Sequence, residues 1–209
     1  MRIRLDLAYD GAGFSGWAKQ PGRRTVQGDL EAALEQVLRV SEARVVVAGR
    51  TDTGVHALGQ VCHVDVEQWP DQTQRRLNAV LADDVRIRAA GPAPDGFDAR
   101  FSALSRQYVY LISDSGLLDP RARGGVWVWR RGLDSESMHD AAQRLIGEHD
   151  FAAFCKAPAR GQLRTDRAGT RSRASQRPAR PPPDRDRHPG RRVLPLDGAF
   201  HRGRATGSG

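Results

Sequence analysis

Residues 45 to 66, VVVAGRTDTGVHALGQVCHVDV, decide how the chain is read, because two different strand signals flank a charged turn. Val45 to Val47 are a short run of β-branched apolar residues, the mark of a buried strand. Cys62, Val64 and Val66 alternate with polar neighbours, as in a strand with one face against a core. Between them lie Arg50, Thr51 and Asp52, followed by Gly54. This spacing predicts a loop at a strand end, where a rigid scaffold presents its reactive groups.

Working outward, RIRLDLAY puts Ile3, Leu5, Leu7 and Tyr9 on one face of a strand that the glycines of DGAGFSGW then interrupt. Thr25 is placed to N-cap a helix whose Val26, Leu30, Ala33, Leu34, Val37 and Leu38 form one apolar stripe. A helix over 71–81 and a strand over 85–87 follow. This order predicts a split βαβ, ferredoxin-like α+β domain over residues 1–95. A second, partial domain is expected over 96–162, with strands in FDARFSA and SRQYVYLIS and a helix from Ser135 to Ile146 stopped at Gly147. No internal repeat is visible.

The formal charge of +8 on 209 residues has an uneven source. Residues 163–209 hold 12 Arg against 4 Asp, while the first 162 residues balance at 21 basic and 21 acidic side chains. The Arg- and Pro-rich segment 163–209 has no period of 2 or 3.6 and contains the run PPP, so it reads as a disordered tail. Its arginines suit either an RNA-binding arm or a solvated tail without a role. No apolar stretch reaches the length of a membrane span, and the opening residues lack the order of a signal peptide, so the expected location is the cytoplasm. Cys62 and Cys155 form no CxxC pair, which argues against a disulfide scaffold or a zinc knuckle and for buried, inert thiols.

A carboxylate at position 52 is suited to act as nucleophile, base or metal ligand. Metal binding needs several ligands, and beyond His56 no cluster of Asp, Glu or His accompanies it. An adjacent guanidinium would keep the carboxylate ionised, which suits a nucleophile. Asp52 and Thr53 are equally placed to cap a turn before Gly54. Gly11, Gly13 and Gly16 have a faint likeness to a phosphate-cradling loop, but no Gly-Lys-Ser/Thr follows. Arg23, Arg24, Arg75 and Arg76 suit either phosphate contacts or solvated surface. His56 reads as a structural loop residue and the four tryptophans as packing residues.

AGRTDTGVHALGQVCHVD resembles the signature of the tRNA pseudouridine synthase A family, and four further segments agree with it in order: YDGAGFSGWAKQPGRRTVQGDLEAAL, RRLNAVLADDVRI, FDARFSALSRQYVYLI and HDFAAFCK. The resemblance covers residues 1–162. It implies isomerisation of uridine to pseudouridine at positions 38 to 40 of the tRNA anticodon stem-loop, with no cofactor and no metal. It also implies a pseudouridine synthase-like fold and a homodimer in which one tRNA touches both subunits. Asp52 then matches the family's essential aspartate, Arg50 the arginine that helps flip the nucleotide, and Tyr108 the active-site tyrosine that stacks on the flipped base.

After residue 162 the chain departs from the family pattern. A later family motif, whose arginine pairs with the catalytic aspartate and whose apolar residues wall the pocket, has no counterpart. The abrupt change to Arg, Pro and Gly is what a GC-rich gene read in a shifted frame would give. The expectation is therefore an incomplete second domain with a mixed or antiparallel sheet. Set against the enzyme reading is a truncated, catalytically silent remnant that retains at most non-specific RNA binding.

Overall fold

The computed structural model describes residues 1–150, 171–174, 193–194 and 201–202. The chain divides into two compact units, 1–103 and 104–209.

The first unit is built on β1 (Arg2–Tyr9), α1 (Val26–Leu38), β2 (Val45–Val47), β3 (Ala57–Asp65), α2 (Thr73–Val80) and β4 (Val85–Pro92). The element order is that of a split βαβ unit. The strands form one antiparallel sheet in the order β2-β3-β1-β4. Alternation in β1 turns Ile3, Leu5 and Leu7 to one face, where register pairs Ile3 with Val64 and Leu5 with Cys62. These side chains are fully buried together with Leu30 and Leu34 of α1 and Leu77 of α2. Each such side chain stabilises the unit by about 1.5–3 kcal/mol relative to an exposed one. Thr25 caps α1 as its position predicts, its hydroxyl oxygen accepting from the Gly28 N–H at 3.2 Å.

Several boundaries differ from those the pattern predicts, each for a local reason. The strand expected over 85–87 continues to Pro92 because β1 pairs along it, with a bulge where Asp6 faces Ala89 and Leu7 faces Ile87. On the outer side of that bulge, Asn78 of α2 accepts from the Ile87 N–H and donates to the Ile87 carbonyl, at 2.8 and 2.9 Å. The helix expected from residue 71 begins only at Thr73, because Gln72 adopts a left-handed conformation with φ 66°.

FDARFSA forms no strand. The Asp98 carboxylate accepts from the N–H groups of Arg100 and Phe101 at 2.8 and 3.0 Å, and the Asp98 carbonyl accepts from Ser102 N–H at 2.7 Å. These local bonds fold the backbone into turns and take the groups a ladder would use. Residues 96–103 accordingly lie with the first unit. Phe97 O accepts from Arg2, the Phe97 ring sits edge-on to His63, and Ala99 N–H donates to His63 Nδ1 at 3.0 Å.

In the second unit β5 (Tyr110–Ser113) pairs in parallel with β6 (Trp127–Val128) and antiparallel with β9 (Val193–Leu194). β7 (Gly147–Asp150), β8 (Arg171–Ala174) and β10 (His201–Arg202) form an antiparallel sheet. The strand expected from Ser105 is thus confined to Tyr110–Ser113. α3 (Ser135–Gln143) is capped by Asp134, which accepts from Glu136 and Ser137 N–H, and it ends before Gly147. Gly147, with φ +110°, opens β7 and is not the helix stop that the sequence suggests. Apart from the three short strands, residues 163–209, expected as a disordered tail, lie outside the described residues, as does Cys155. Mixed helix and antiparallel sheet make the chain α+β.

Candidate active site

The loop 48–56 leaves β2 and enters β3, and its backbone is tied down at several points. Ala48 N–H donates to Val61 O at 2.8 Å, Trp17 N–H to Thr51 O at 3.0 Å, and Gly54 N–H to Phe14 O at 3.3 Å. Within the loop, Val55 N–H donates to Asp52 O at 3.2 Å, closing a turn. The strand leading in is fixed as well, because buried Glu31 of α1 accepts from Val45 N–H at 3.2 Å.

The glycine segment after β1 is the surface against which this loop packs. At Gly11 a Cβ would lie 2.0 Å from the Val55 carbonyl oxygen. At Gly16, where φ is +92°, a Cβ would lie 2.9 Å from Thr51 O. Only glycine permits these approaches, so DGAGFSGW serves backbone contact with the Asp52 loop. Phe14 and Trp17 from the same segment are buried in the core. Arg24 lies over the Phe14 ring at 4.2 Å and pairs with Asp29 and Asp84 at 2.8 and 2.6 Å. Its hydrogen bond holds the Asp84 carboxyl below the usual carboxylate range.

On this mount Arg50 and Asp52 are both exposed. Among the described residues, neither side chain has a hydrogen bond or ion pair, so the adjacent guanidinium and carboxylate do not engage each other. Thr51 between them is anchored, its Oγ1 lying 2.8 Å from Tyr9 OH. Tyr108 belongs to the second unit, where it precedes β5 and is 48% exposed. His56 is a loop residue with structural partners: its Nδ1 lies 3.3 Å from Gly11 N and 3.0 Å from Asp10 Oδ1. Among the described residues no cluster of His, Cys, Asp or Glu could hold a metal ion, and no helix is long and apolar enough to cross a membrane. Burial pushes the Cys62 thiol far up, leaving it protonated and unreactive.

The basic residues divide. Arg24 is committed to Asp29 and Asp84, and Arg76 donates to Val37 O at 3.0 Å, so both stabilise the fold. Arg23 and Arg75 are exposed. Of the tryptophans, Trp17 is buried and Trp69 packs against the core, whereas Trp127 is half exposed beside Trp129.

The family described as tRNA pseudouridine synthase matches residues 7–102, a span that holds the whole loop and its glycine mount. A tRNA pseudouridine synthase A of Frankia casuarinae is 57% identical over 162 residues, covering 75% of this chain. One of Streptomyces griseus is 55% identical over 163 residues and one of Cutibacterium acnes 53% over 159, covering 75% and 74% of the chain. Over about three quarters of its length the chain is similar to the tRNA pseudouridine synthase A family. It spans 58% of the length of the Frankia synthase and 57% of the other two.

Within the first unit, three side chains escaped the sequence reading. Gln60 is 9% exposed, and its amide donates to Gly49 O at 2.8 Å and to Tyr9 OH at 3.2 Å. Its signal was available, since Gln60 occupies an inward slot of the alternation that Cys62 and Val64 continue. Glu31 likewise falls within the apolar stripe of α1, where a carboxylate needs partners. His63 gave no such signal, because it stands on the outward side of β3 and is buried by residues 97–99.

Proposed function

We propose that the chain acts as a tRNA pseudouridine synthase on uridines at positions 38 to 40 of the anticodon stem-loop, with Asp52 as its nucleophile. The observation that carries this reading is an exposed carboxylate that has no partner among the described residues, held on a backbone anchored at Gly49, Thr51 and Gly54. Such a carboxylate is free to bond covalently to the sugar or the base while the C1'–N1 bond breaks and the C1'–C5 bond forms. N1 gains a proton and C5 gives one to water, so the isomerisation is redox-neutral and consumes no oxidant or reductant. Arg50, exposed two residues away, fills the place vacated by the flipped uridine. Tyr108 offers the exposed aromatic face on which that base stacks. The reading places the chain in the cytoplasm with its tRNA, as a homodimer whose two copies pool basic surface around one tRNA.

Release of tritium from tRNA labelled at uridine C5 tests this. The 209-residue chain should release label, and Asp52→Asn, which keeps the shape and loses the nucleophile, should release none. Undiminished release by Asp52→Asn overturns the assignment.

A second reading is favoured by one observation: residues 104–150 bury no apolar side chain, although the first unit buries many. On that reading residues 163–209 derive from a shifted frame, and the chain is a silent relative that retains only salt-sensitive, non-specific RNA binding. A folded chain that binds RNA and releases no tritium supports this reading against the first.

A further inference from the structure

We infer that Tyr9 and Gln60 are positioning residues that fix the backbone on which Asp52 stands; the inference rests on the reading of Asp52 as the reactive group. Among the described residues the Asp52 carboxylate bonds to no protein group, so what these residues contribute to its place they contribute through its backbone. That backbone is gripped at Gly49 and Thr51 by one buried pair of side chains. Tyr9 ends β1 and is 5% exposed, and Gln60 lies in the neighbouring strand β3.

The chemistry of the atoms fixes the direction of the Gln60 bonds. The Gln60 amide nitrogen faces the Gly49 carbonyl, which can only accept, so this nitrogen is correctly placed and donates. The Gln60 oxygen, at the other end of the amide, accepts from Val61 N–H at 3.2 Å, in agreement. The same nitrogen therefore donates to the Tyr9 oxygen, and the Tyr9 and Thr51 hydroxyls share a hydrogen bond in which either can donate. Gln60 to Tyr9 to Thr51 is thus a chain of hydrogen bonds running from the sheet to the residue before Asp52. In the dry interior each member depends on the one before it. From the other side, Gly16 and Trp17 press on Thr51 O, so Thr51 is held between two strands' worth of fixed groups.

This chain of bonds is not a set of catalytic residues, since Tyr9 and Gln60 are buried beneath the loop. Its loss should loosen the loop without unfolding the sheet. The test is hydrogen exchange on the intact 209-residue chain, comparing Tyr9→Phe, Gln60→Met, Thr51→Val and Thr51→Ser with the unaltered chain. The reporters are the amides of Trp17 and Gly54, which bond across the loop; the controls are the amides of Leu30 and Leu34 in α1. Tyr9→Phe and Thr51→Val should each speed exchange at the reporters about tenfold and leave the controls unchanged. The double variant should be no faster than the faster single, because both remove the same bond. Thr51→Ser, which keeps the oxygen, should behave as the unaltered chain, and Gln60→Met should exceed Tyr9→Phe. Unchanged reporters overturn the inference, and so does equal acceleration of reporters and controls, which would mean support of the fold alone.

Tritium release adds a second arm. Tyr9→Phe should lower kcat about tenfold with KM for tRNA unchanged, and unchanged kcat with a loosened loop also overturns the inference. If the unaltered chain releases no tritium, the proposed activity fails by itself, while the exchange result still decides the role of Tyr9 and Gln60.

Discussion

β1 and β5 are both strands that carry apolar side chains, on alternate positions in β1 and in the run Tyr110–Ile112 in β5, yet they end in different surroundings. β1 has a strand on each side along most of its length, and Ile3, Leu5 and Leu7 are fully buried. β5 pairs over two residues with each neighbour, Tyr110 is half exposed, and Leu111 and Ile112 are only partly covered. The comparison separates propensity from burial. Alternation makes a strand possible, but the free energy comes from what covers its apolar face. The first unit supplies that cover itself through α1 and α2, and the loop of Arg50 and Asp52 is mounted on this well-packed half. Tyr108 belongs to the segment 104–150, which buries no apolar side chain.

The largest difference should appear on truncating one leucine in each unit. Leu34→Ala removes a fully buried side chain and should lower the stability of the first unit by about 2–5 kcal/mol. Leu117→Ala removes one that is 81% exposed and should change stability by less than about 0.5 kcal/mol. Urea unfolding followed by fluorescence of the buried Trp17 reads the first effect, and similar losses from both variants would break the comparison.

A smaller loss should follow from Asn78→Ala, which leaves the N–H of Ile87 without its side-chain acceptor and its carbonyl with only the Gln74 amide, at 3.3 Å. The expected cost is about 1–3 kcal/mol. Because Asn78 also closes the outer edge of β4, sedimentation should show this variant forming species larger than those of the unaltered chain. Intact stability and no larger species would show that the edge of the first unit needs no such cover.

The smallest effect concerns pH. Burial, and after it the positive charge of Arg2, pulls the His63 imidazole below its ordinary range, while Asp98 and Asp65 act weakly the other way. The folded ring is neutral, its Nδ1 accepting from Ala99 N–H. A depressed folded value means that the unfolded chain takes up the proton first. This contribution is therefore fully present above about pH 6.5 and is lost as pH falls below it through the folded value. The melting temperature of the first unit should decline gradually in that window, before the carboxylates titrate, and His63→Gln should flatten the decline. An unchanged slope in His63→Gln would show that residues 97–99 do not bury His63 in solution.

The first unit was legible because its signals are local and agree with one another. Thr25 caps, the stripe from Val26 to Val37 buries, and the alternation of Ile3, Leu5 and Leu7 names the core face. The loop of Arg50 and Asp52 was legible in place, since a charged turn between two strands has few other locations. Its mount was not. That Gly11 and Gly16 allow the loop's carbonyls to approach is a fact about two segments about forty residues apart, and a glycine carries no mark of what lies beside it. FDARFSA misled because Phe97 and Phe101 alternate with polar residues as a strand would, whereas the Asp98 side chain, competing for the backbone amides, decides the conformation. The bounds of α3 were misjudged in the same way, Gly147 serving the following strand.

Native-state hydrogen exchange across the intact chain tests the central claim, that the stability presenting Asp52 resides in the first unit. Amides of β1 and β3 should exchange only through global unfolding of that unit, while amides of β5 and β6 exchange at least a hundredfold faster through local opening. Equal protection in the two sets would contradict the account, because the second unit would then be as well anchored as the first.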